Sequence, residues 1–330
     1  MATLLIPDFS IDTDPDLEVA AAGPHRVIVH RTRDPDAVPL ADWQAADALV
    51  CHHLMPMGAA MVGRAPGCRV LVRAGVGYDH IDVPAWRAAG VPVCNVPDYG
   101  TTDIADFAMA LLLSLARGIV PYHTGLVADP VGNWRARHPS PTVRRLKGLN
   151  CLVVGLGAIG MAFARRAAAA DIQVGYYDPY RPNAIALGLG YTKFETLSDA
   201  MAWADVVSVH CLLSAETRHL INAEALAAAR PGLILINTAR GGCVDLSAVV
   251  AALEDGRLAG CGLDVLEQEP PDPSHPFLQG LTSGRWDGRV LLTPHSAFNS
   301  PQAGRDMRVK AIETARAFLE TGVLRNPVGG

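Results

Sequence analysis

Residues 151–160 read CLVVGLGAIG, and this stretch decides the fold. The apolar run before the first glycine is typical of a buried strand, and the Ala-rich run after Gly160 is typical of a helix. Gly155, Gly157 and Gly160 occupy the three positions of a G-x-G-x-x-G turn. The first glycine permits a tight turn, the second lets the backbone approach a pyrophosphate, and the third lets helix and strand pack closely. The stretch therefore predicts a strand–turn–helix unit that binds a dinucleotide.

A second apolar run, 172–177, ends at Asp178, 18 residues beyond Gly160, which is near the spacing of about 20 at which an acid receives the adenosine ribose hydroxyls. A carboxylate there favours NAD, because it repels a 2′-phosphate. Arg181 lies three residues further on and keeps NADP as an alternative.

Short apolar strands alternate with helical stretches on both sides of the fingerprint, which predicts parallel α/β sheets. The expected strands are 3–6, 26–30, 48–51, 69–74 and 91–94 before it, and 152–154, 172–177, 206–211, 233–237, 261–265 and 290–292 from it onward. We expect a Rossmann-type doubly wound parallel sheet over 99–298 that binds NAD. A smaller flavodoxin-like, discontinuous substrate domain would combine 1–98 with a returning helix in 299–330.

The composition is typical of a globular protein that binds neither nucleic acid nor a membrane. Of 330 residues 50% are hydrophobic and 18% charged, and the net charge of −5 gives no reason to expect nucleic acid or an anionic membrane as partner. The N-terminus lacks a signal-peptide pattern, and the seven cysteines are scattered singly with no C-x-x-C pair, so no metal site is predicted. A soluble, cytoplasmic protein is expected.

Three polar residues follow predicted strands where a nicotinamide would lie. A guanidinium at Arg240 can fork onto a carboxylate, and the imidazole of His295 suits proton transfer near neutral pH. An acid beside His295 would keep it charged, but spacing alone does not decide between Glu267 and Glu269. In the first domain, backbone N–H groups in the 75–77 loop are candidates to hold a small anion.

Five motifs together resemble the D-isomer-specific 2-hydroxyacid dehydrogenase family. They are VGYDHID at 76–82, the glycine fingerprint, NTARGG followed by Val244 and Asp245, GLDV at 262–265 with Glu269-Pro270, and TPH at 293–295. The resemblance implies a catalytic set of Arg240, Glu269 and His295, places Asp264 at the nicotinamide carboxamide, and implies a dimer.

Other residues resemble the C-terminal-binding protein branch of that family, among them CNVP at 94–97 and Phe298 where that branch has tryptophan. The less regular segment 117–147 is interpreted as an exposed excursion or as an arm that packs on a second subunit.

The expected function is NAD-dependent reduction of a 2-keto acid to a D-2-hydroxy acid. The alternatives are a family member acting on a non-carbon substrate such as phosphite, and an NAD(H)-sensing, corepressor-like homodimer with weak activity. The predicted cofactor contacts are Gly155, Gly157, Ala158, Ile159, Gly160, Asp178, His210, Thr238, Ala239 and Asp264, and the predicted substrate contacts are Gly75, Val76, Gly77 and Phe298.

Overall fold

The computed structural model describes residues 1–137 and 140–329, and the chain divides into two compact units. The first unit comprises Met1–Gly100 and Asn299–Gly330, and the second comprises Thr101–Phe298. Residues 138 and 139 of the expected arm, and residue 330 of the C-terminal segment, lie outside the described residues.

The first unit is built on a parallel sheet of order β2-β1-β3-β4-β5, which is the flavodoxin-like order. Its strands are β1 (Thr3–Ile6), β2 (Arg26–Val29), β3 (Ala48–Cys51), β4 (Val70–Arg73) and β5 (Val93–Asn95). Its helices are α1 (Asp16–Ala22), α2 (Leu40–Gln44), α3 (Ala59–Val62), α4 (Val83–Ala88) and α13 (Pro301–Thr321), with a 3-10 turn at Pro35–Ala37.

Helix α13 completes the first unit from the far end of the chain. The Ser300 side chain caps its first turn by accepting the Ala303 N–H, and the helix ends at Gly322 in the left-handed region. Met307 and Ile312 on its apolar face are buried with β-strand residues of this sheet, each contributing about 1.5 to 3 kcal/mol. The C-terminal helix is therefore an integral part of the first sheet's core.

The second unit carries a seven-stranded parallel sheet of order β12-β11-β10-β9-β6-β7-β8. Its strands are β6 (Asn150–Val154), β7 (Gln173–Tyr177), β8 (Thr192–Lys193), β9 (Val206–Val209), β10 (Leu233–Asn237), β11 (Leu258–Leu263) and β12 (Val290–Leu292). Its helices are α5 (Thr101–Arg117), α6 (Ile119–Ala128), α7 (Ala158–Ala169), α8 (Asn183–Leu189), α9 (Leu197–Trp203), α10 (Ala223–Ala228), α11 (Leu246–Glu254) and α12 (Pro276–Thr282), with a 3-10 turn at Gly241–Cys243.

Both faces of this sheet are covered, as a doubly wound fold requires. Neighbouring residues of β6 point to opposite sides: Leu152 lies in a core cluster with residues of α9 to α12, whereas Val153 lies in one with α5 and α7. The predicted α/β class with parallel Rossmann-type sheets is confirmed.

Two local elements differ from the sequence prediction. The edge strand β8 is a seventh strand that we did not predict, because it has only two residues and they carry no apolar run. Helix α6 lies in the segment expected to be irregular. Its sequence, IVPYHTGLVA, lacks the one-sided apolar stripe by which helices are recognised, and in the structure none of its residues is buried.

Among the described residues, no single helix has the length and apolar composition needed to cross a membrane. Helices α5 and α6 reach that threshold only when counted together across a bend of 62°.

Candidate active site

The glycine fingerprint has three distinct steric environments. Gly155 has a φ of +89°, and a Cβ on it would lie 2.7 Å from backbone atoms of Cys211. A Cβ on Gly160 would lie 2.1 Å from the Gly155 carbonyl oxygen. At Gly157, which caps α7, a Cβ would meet no protein atom within 4 Å. Gly155 and Gly160 are therefore required by the fold, whereas Gly157 keeps space open at a helix N-terminus, which suits a pyrophosphate.

Asp178 closes the glycine turn from the end of β7. Its Oδ2 accepts the Leu156 N–H at 2.8 Å and its Oδ1 accepts the Tyr180 N–H at 3.0 Å. The Nε of Arg181 lies 4.0 Å from Oδ2. The structure thus brings the predicted ribose acid into contact with the glycine loop.

Two buried polar atoms at the ends of β9 and β10 have no hydrogen-bond partner among the described residues: Nδ1 of His210 and Oγ1 of Thr238. Nε2 of His210 lies 2.8 Å from the Ser208 hydroxyl, and the imidazole ring of His210 packs against the ring of Phe163. Burial lowers the pKa of His210 to about 3, so the imidazole is neutral at physiological pH. Unsatisfied buried polar atoms are rare in folded proteins, and these two fit a polar ligand lying over the sheet.

His295 and Glu269 form a close pair. His295 Nδ1 lies 2.7 Å from Glu269 Oε2, while Glu269 Oε1 accepts the Leu266 N–H at 2.9 Å. Burial is the largest influence on the pKa of Glu269 and raises it, but the hydrogen bond and charge of His295, the Leu266 N–H and the charge of Arg240 together lower the pKa below its ordinary 4.5. A carboxylate that stays ionised beside an imidazole stabilises the imidazolium and fixes the ring's orientation.

The loop that carries His295 is fastened by Asp264, which follows β11 and is buried. Asp264 Oδ1 accepts the Thr293 hydroxyl at 2.5 Å and the Ser296 N–H at 3.0 Å, and Oδ2 accepts the Ala297 N–H at 2.8 Å. The His295 N–H donates to the Asp264 carbonyl at 2.8 Å, with the histidine at a φ of +52°. Holding this loop is a role of Asp264 that sequence reasoning missed, although the Thr293 hydroxyl in the TPH motif is a partner that an acid can bind.

Arg240 lies in the loop after β10. Its Nη1 donates to the Ala239 carbonyl at 2.8 Å, and its own carbonyl accepts the Asn237 amide at 3.0 Å. A Cβ on the next residue, Gly241, would lie 1.9 Å from the Leu266 carbonyl carbon, so only glycine permits this contact. Backbone contact between these two loops brings the Arg240 charge close enough to act on Glu269.

A second histidine–glutamate pair lies beside the first. His219 Nε2 lies 2.8 Å from Glu267 Oε2, and Glu267 Oε1 accepts the Leu246 N–H at the start of α11, also at 2.8 Å. The two glutamates between which spacing did not decide therefore have one histidine each. Of these two glutamates, Glu269 is the one that pairs with His295.

The predicted substrate contacts fall in both units. In the first unit the Gly75 N–H donates to the Arg73 carbonyl at 2.9 Å, so the protein itself occupies one of the three expected donors. The Asn95 side chain holds the Val76 carbonyl at 2.8 Å. In the second unit Phe298 is half-buried at the end of the His295 loop.

A family model of the NAD binding domain of D-isomer specific 2-hydroxyacid dehydrogenases matches residues 109–297. The chain belongs to this family. Its relatives include a glyoxylate reductase of Thermofilum pendens, 35% identical over an alignment of 301 residues, and the match covers 89% of this chain and 85% of the relative.

Solved structures agree with this assignment. The NADPH-dependent glyoxylate/hydroxypyruvate reductase of Sinorhizobium meliloti, in complex with NADP and malonate, is 30% identical with a TM-score of 0.87, and the match covers 99% of this chain and 97% of that one. The D-lactate dehydrogenase of Aquifex aeolicus, complexed with NAD and lactic acid, is 25% identical with a TM-score of 0.82, over 99% of both chains.

Proposed function

We propose that this protein reduces a small 2-keto acid to the D-2-hydroxy acid with NADH. The observation that carries the proposal is the 2.7 Å contact between His295 and Glu269, with the charge of Arg240 acting on the same carboxylate. An acid–base pair beside a carboxylate-binding cation is what keto acid reduction needs.

Each residue has a distinct role in this proposal. The His295 imidazolium donates a proton to the substrate's carbonyl oxygen, and ionised Glu269 keeps that imidazolium charged. Arg240 forks onto the substrate carboxylate and polarises the adjacent carbonyl. When bound, NADH supplies the hydride. The amides of Val76 and Gly77, with Phe298, remain predicted substrate contacts.

The substrate proposal is glyoxylate or hydroxypyruvate, because reductases of these two acids are among the relatives of this chain. Phosphite and larger keto acids are the competing substrates. The likeness to the C-terminal-binding protein branch, and an NAD(H)-sensing role, stay predictions.

NADH is the proposed reductant because Asp178 presents a carboxylate at the end of β7, where the adenosine ribose is expected. Its contact with the Leu156 N–H holds it against the glycine loop. Predicted contacts to Ala158, Ile159 and Ala239, and from Asp264 to the carboxamide, belong to the same proposal.

We further propose a cytoplasmic homodimer that uses the surface of α6 and the chain beyond it. Val131 and Trp134 are 85% and 74% exposed, and an apolar groove of about 370 Å³ is lined by Phe107, Ala110 and Leu291, among others, within the same unit. An exposed apolar arm beside an apolar groove suits self-association. Light scattering of wild type and Trp134→Ser is the test, and a monomeric wild type would refute the dimer.

The test of function is NADH oxidation with glyoxylate, hydroxypyruvate, pyruvate or phenylpyruvate as substrate, with NADPH in parallel. NAD reduction is measured separately with and without phosphite. Turnover of one keto acid, with chiral analysis showing the D product, supports the proposal. A wild type that binds NADH tightly but turns over no keto acid contradicts it and favours sensing, or phosphite oxidation if NAD is reduced when phosphite is added.

A further inference from the structure

A side-chain contact connects the loop after β7, which begins at Asp178, with the loop after β9. The Tyr180 hydroxyl donates a hydrogen bond to Oε2 of Glu216. Tyr180 is 76% exposed and Glu216 is exposed as well. Because both side chains are exposed, their pairing contributes little to the core and leaves the carboxylate accessible from solvent.

The loop that carries Glu216 has a defined shape. The Thr217 hydroxyl donates to the Leu212 carbonyl at 2.5 Å and accepts the Ser214 N–H at 2.8 Å, and the Arg218 N–H donates to the Ser214 carbonyl at 3.0 Å. These bonds hold the turn around Glu216 without help from the Tyr180 contact. The Glu216 carboxylate is thus presented from a formed turn.

The charges around Tyr180 are mostly negative. The pKa of Tyr180 is raised first by the hydrogen bond to Glu216, then by the charge of that carboxylate, and further by the charge of Asp178. Asp178 and Glu216 therefore both lie within electrostatic reach of one phenol. Among the described residues Arg181 contacts this group, with its Nε 4.0 Å from Asp178 Oδ2.

An arginine near this ribose position is the usual partner of a 2′-phosphate, so Arg181 alone would favour NADP. A phosphate monoester carries about 1.5 to 2 negative charges at neutral pH, and partly exposed carboxylates repel it over roughly a Debye length of 8 to 10 Å. A second carboxylate that acts on the same phenol as Asp178 opposes the attraction of Arg181.

We propose that Glu216, positioned by Tyr180, is a second acidic determinant that selects NADH over NADPH. The inference rests on the proposed cofactor site and deepens it: Asp178 receives the ribose, while Glu216 offsets Arg181 and disfavours the 2′-phosphate.

The experiment is calorimetric titration of NADH and NADPH into wild type, Glu216→Gln, Tyr180→Phe and the matched control Glu224→Gln, which alters an exposed glutamate on α10. We expect Glu216→Gln to raise the ratio of NADPH to NADH affinity about 3- to 10-fold, and Tyr180→Phe about 2-fold. Glu224→Gln should leave the ratio unchanged. At 0.5 M NaCl the effect of Glu216→Gln should shrink, because it is electrostatic.

The ratio is insensitive to partial misfolding, which removes binding sites for both cofactors equally. A ratio within 1.5-fold of wild type for Glu216→Gln at low salt, or an equal rise for Glu224→Gln, overturns the inference. Since the readout is binding, a wild type that discriminates between the cofactors but reduces no keto acid would refute the proposed reaction while leaving this inference testable. A wild type that binds neither cofactor refutes both.

Discussion

Two histidine–glutamate pairs, His295–Glu269 and His219–Glu267, have the same pairing chemistry, and their glutamates lie two residues apart on one loop. Their contacts measure 2.7 and 2.8 Å, their histidines have φ values of +52° and +50°, and their side chains are 34 to 40% exposed. Distance, backbone strain and exposure therefore do not separate the two pairs.

Their neighbours do separate them. The second carboxylate oxygen of Glu269 accepts the Leu266 N–H from the same loop, and the charge of Arg240 lowers the pKa of Glu269. Glu267 uses its second oxygen on the Leu246 N–H at the start of α11, and the His219 N–H donates to the Gly242 carbonyl at 2.8 Å. We infer that the first pair handles the proton, whereas the second holds three loops together. An imidazole–carboxylate contact alone does not identify a catalytic pair.

The largest expected effect is the loss of His295. His295→Ala should lower kcat for the preferred keto acid by about 10²- to 10⁴-fold, because a general acid contributes that much. His219→Ala, the matched control, should lower kcat less than about 3-fold. Steady-state NADH oxidation at saturating substrate measures both, and comparable losses would erase the distinction between the pairs.

A smaller loss is expected from loosening the loop that carries His295. Asp264→Asn keeps the size of the side chain but removes the negative charge of the carboxylate to which the Ser296 and Ala297 N–H groups donate. We expect kcat to fall about 10-fold, corresponding to roughly 1.4 kcal/mol for charge-assisted hydrogen bonds. A wild-type kcat in Asp264→Asn would contradict the loop-holding role, and a raised KM for NADH with unchanged kcat would leave only the proposed carboxamide contact.

Much of this site could be predicted from the sequence, because many of its residues are positioned by strands that lie next to them in the sequence. The glycines, Asp178 and the polar residues after β10 and β12 stand at fixed offsets from apolar strands, so periodicity places them. The roles of Asp264 and Glu267 could not be read in this way. They depend on contacts such as His219–Glu267 across 48 residues and Asp264–Ala297 across 33, which form only when strands distant in sequence lie side by side.

A pH profile sharpens the comparison further. Because the pKa of Glu269 is lowered in the folded protein, its stabilising pairing is complete above about pH 4.5 and is lost as the pH falls through the folded value. We therefore expect the acid limb of kcat to lie below pH 4.5 in wild type and to be absent in Glu269→Gln, whose kcat is lower throughout. Circular dichroism at each pH separates this from unfolding. An acid limb that survives in Glu269→Gln would assign it to another group.

The smallest effect is expected in stability. Glu267→Gln leaves one oxygen to serve both His219 and the Leu246 N–H, which should cost about 1 kcal/mol and lower Tm by about 2 to 4 °C. The kcat of this variant should remain within about 3-fold of wild type. Differential scanning fluorimetry measures the shift, with Glu224→Gln on α10 as an exposed control. An unchanged Tm would argue against the loop-holding role.

The most direct test of the central claim, that His295 and Glu269 act as one catalytic unit, is a double-mutant cycle on kcat with His295→Ala, Glu269→Gln and the double variant. Residues that act together are not additive, so the double variant should be no slower than His295→Ala alone. If the two losses multiply instead, Glu269 acts independently of His295 and the claim fails.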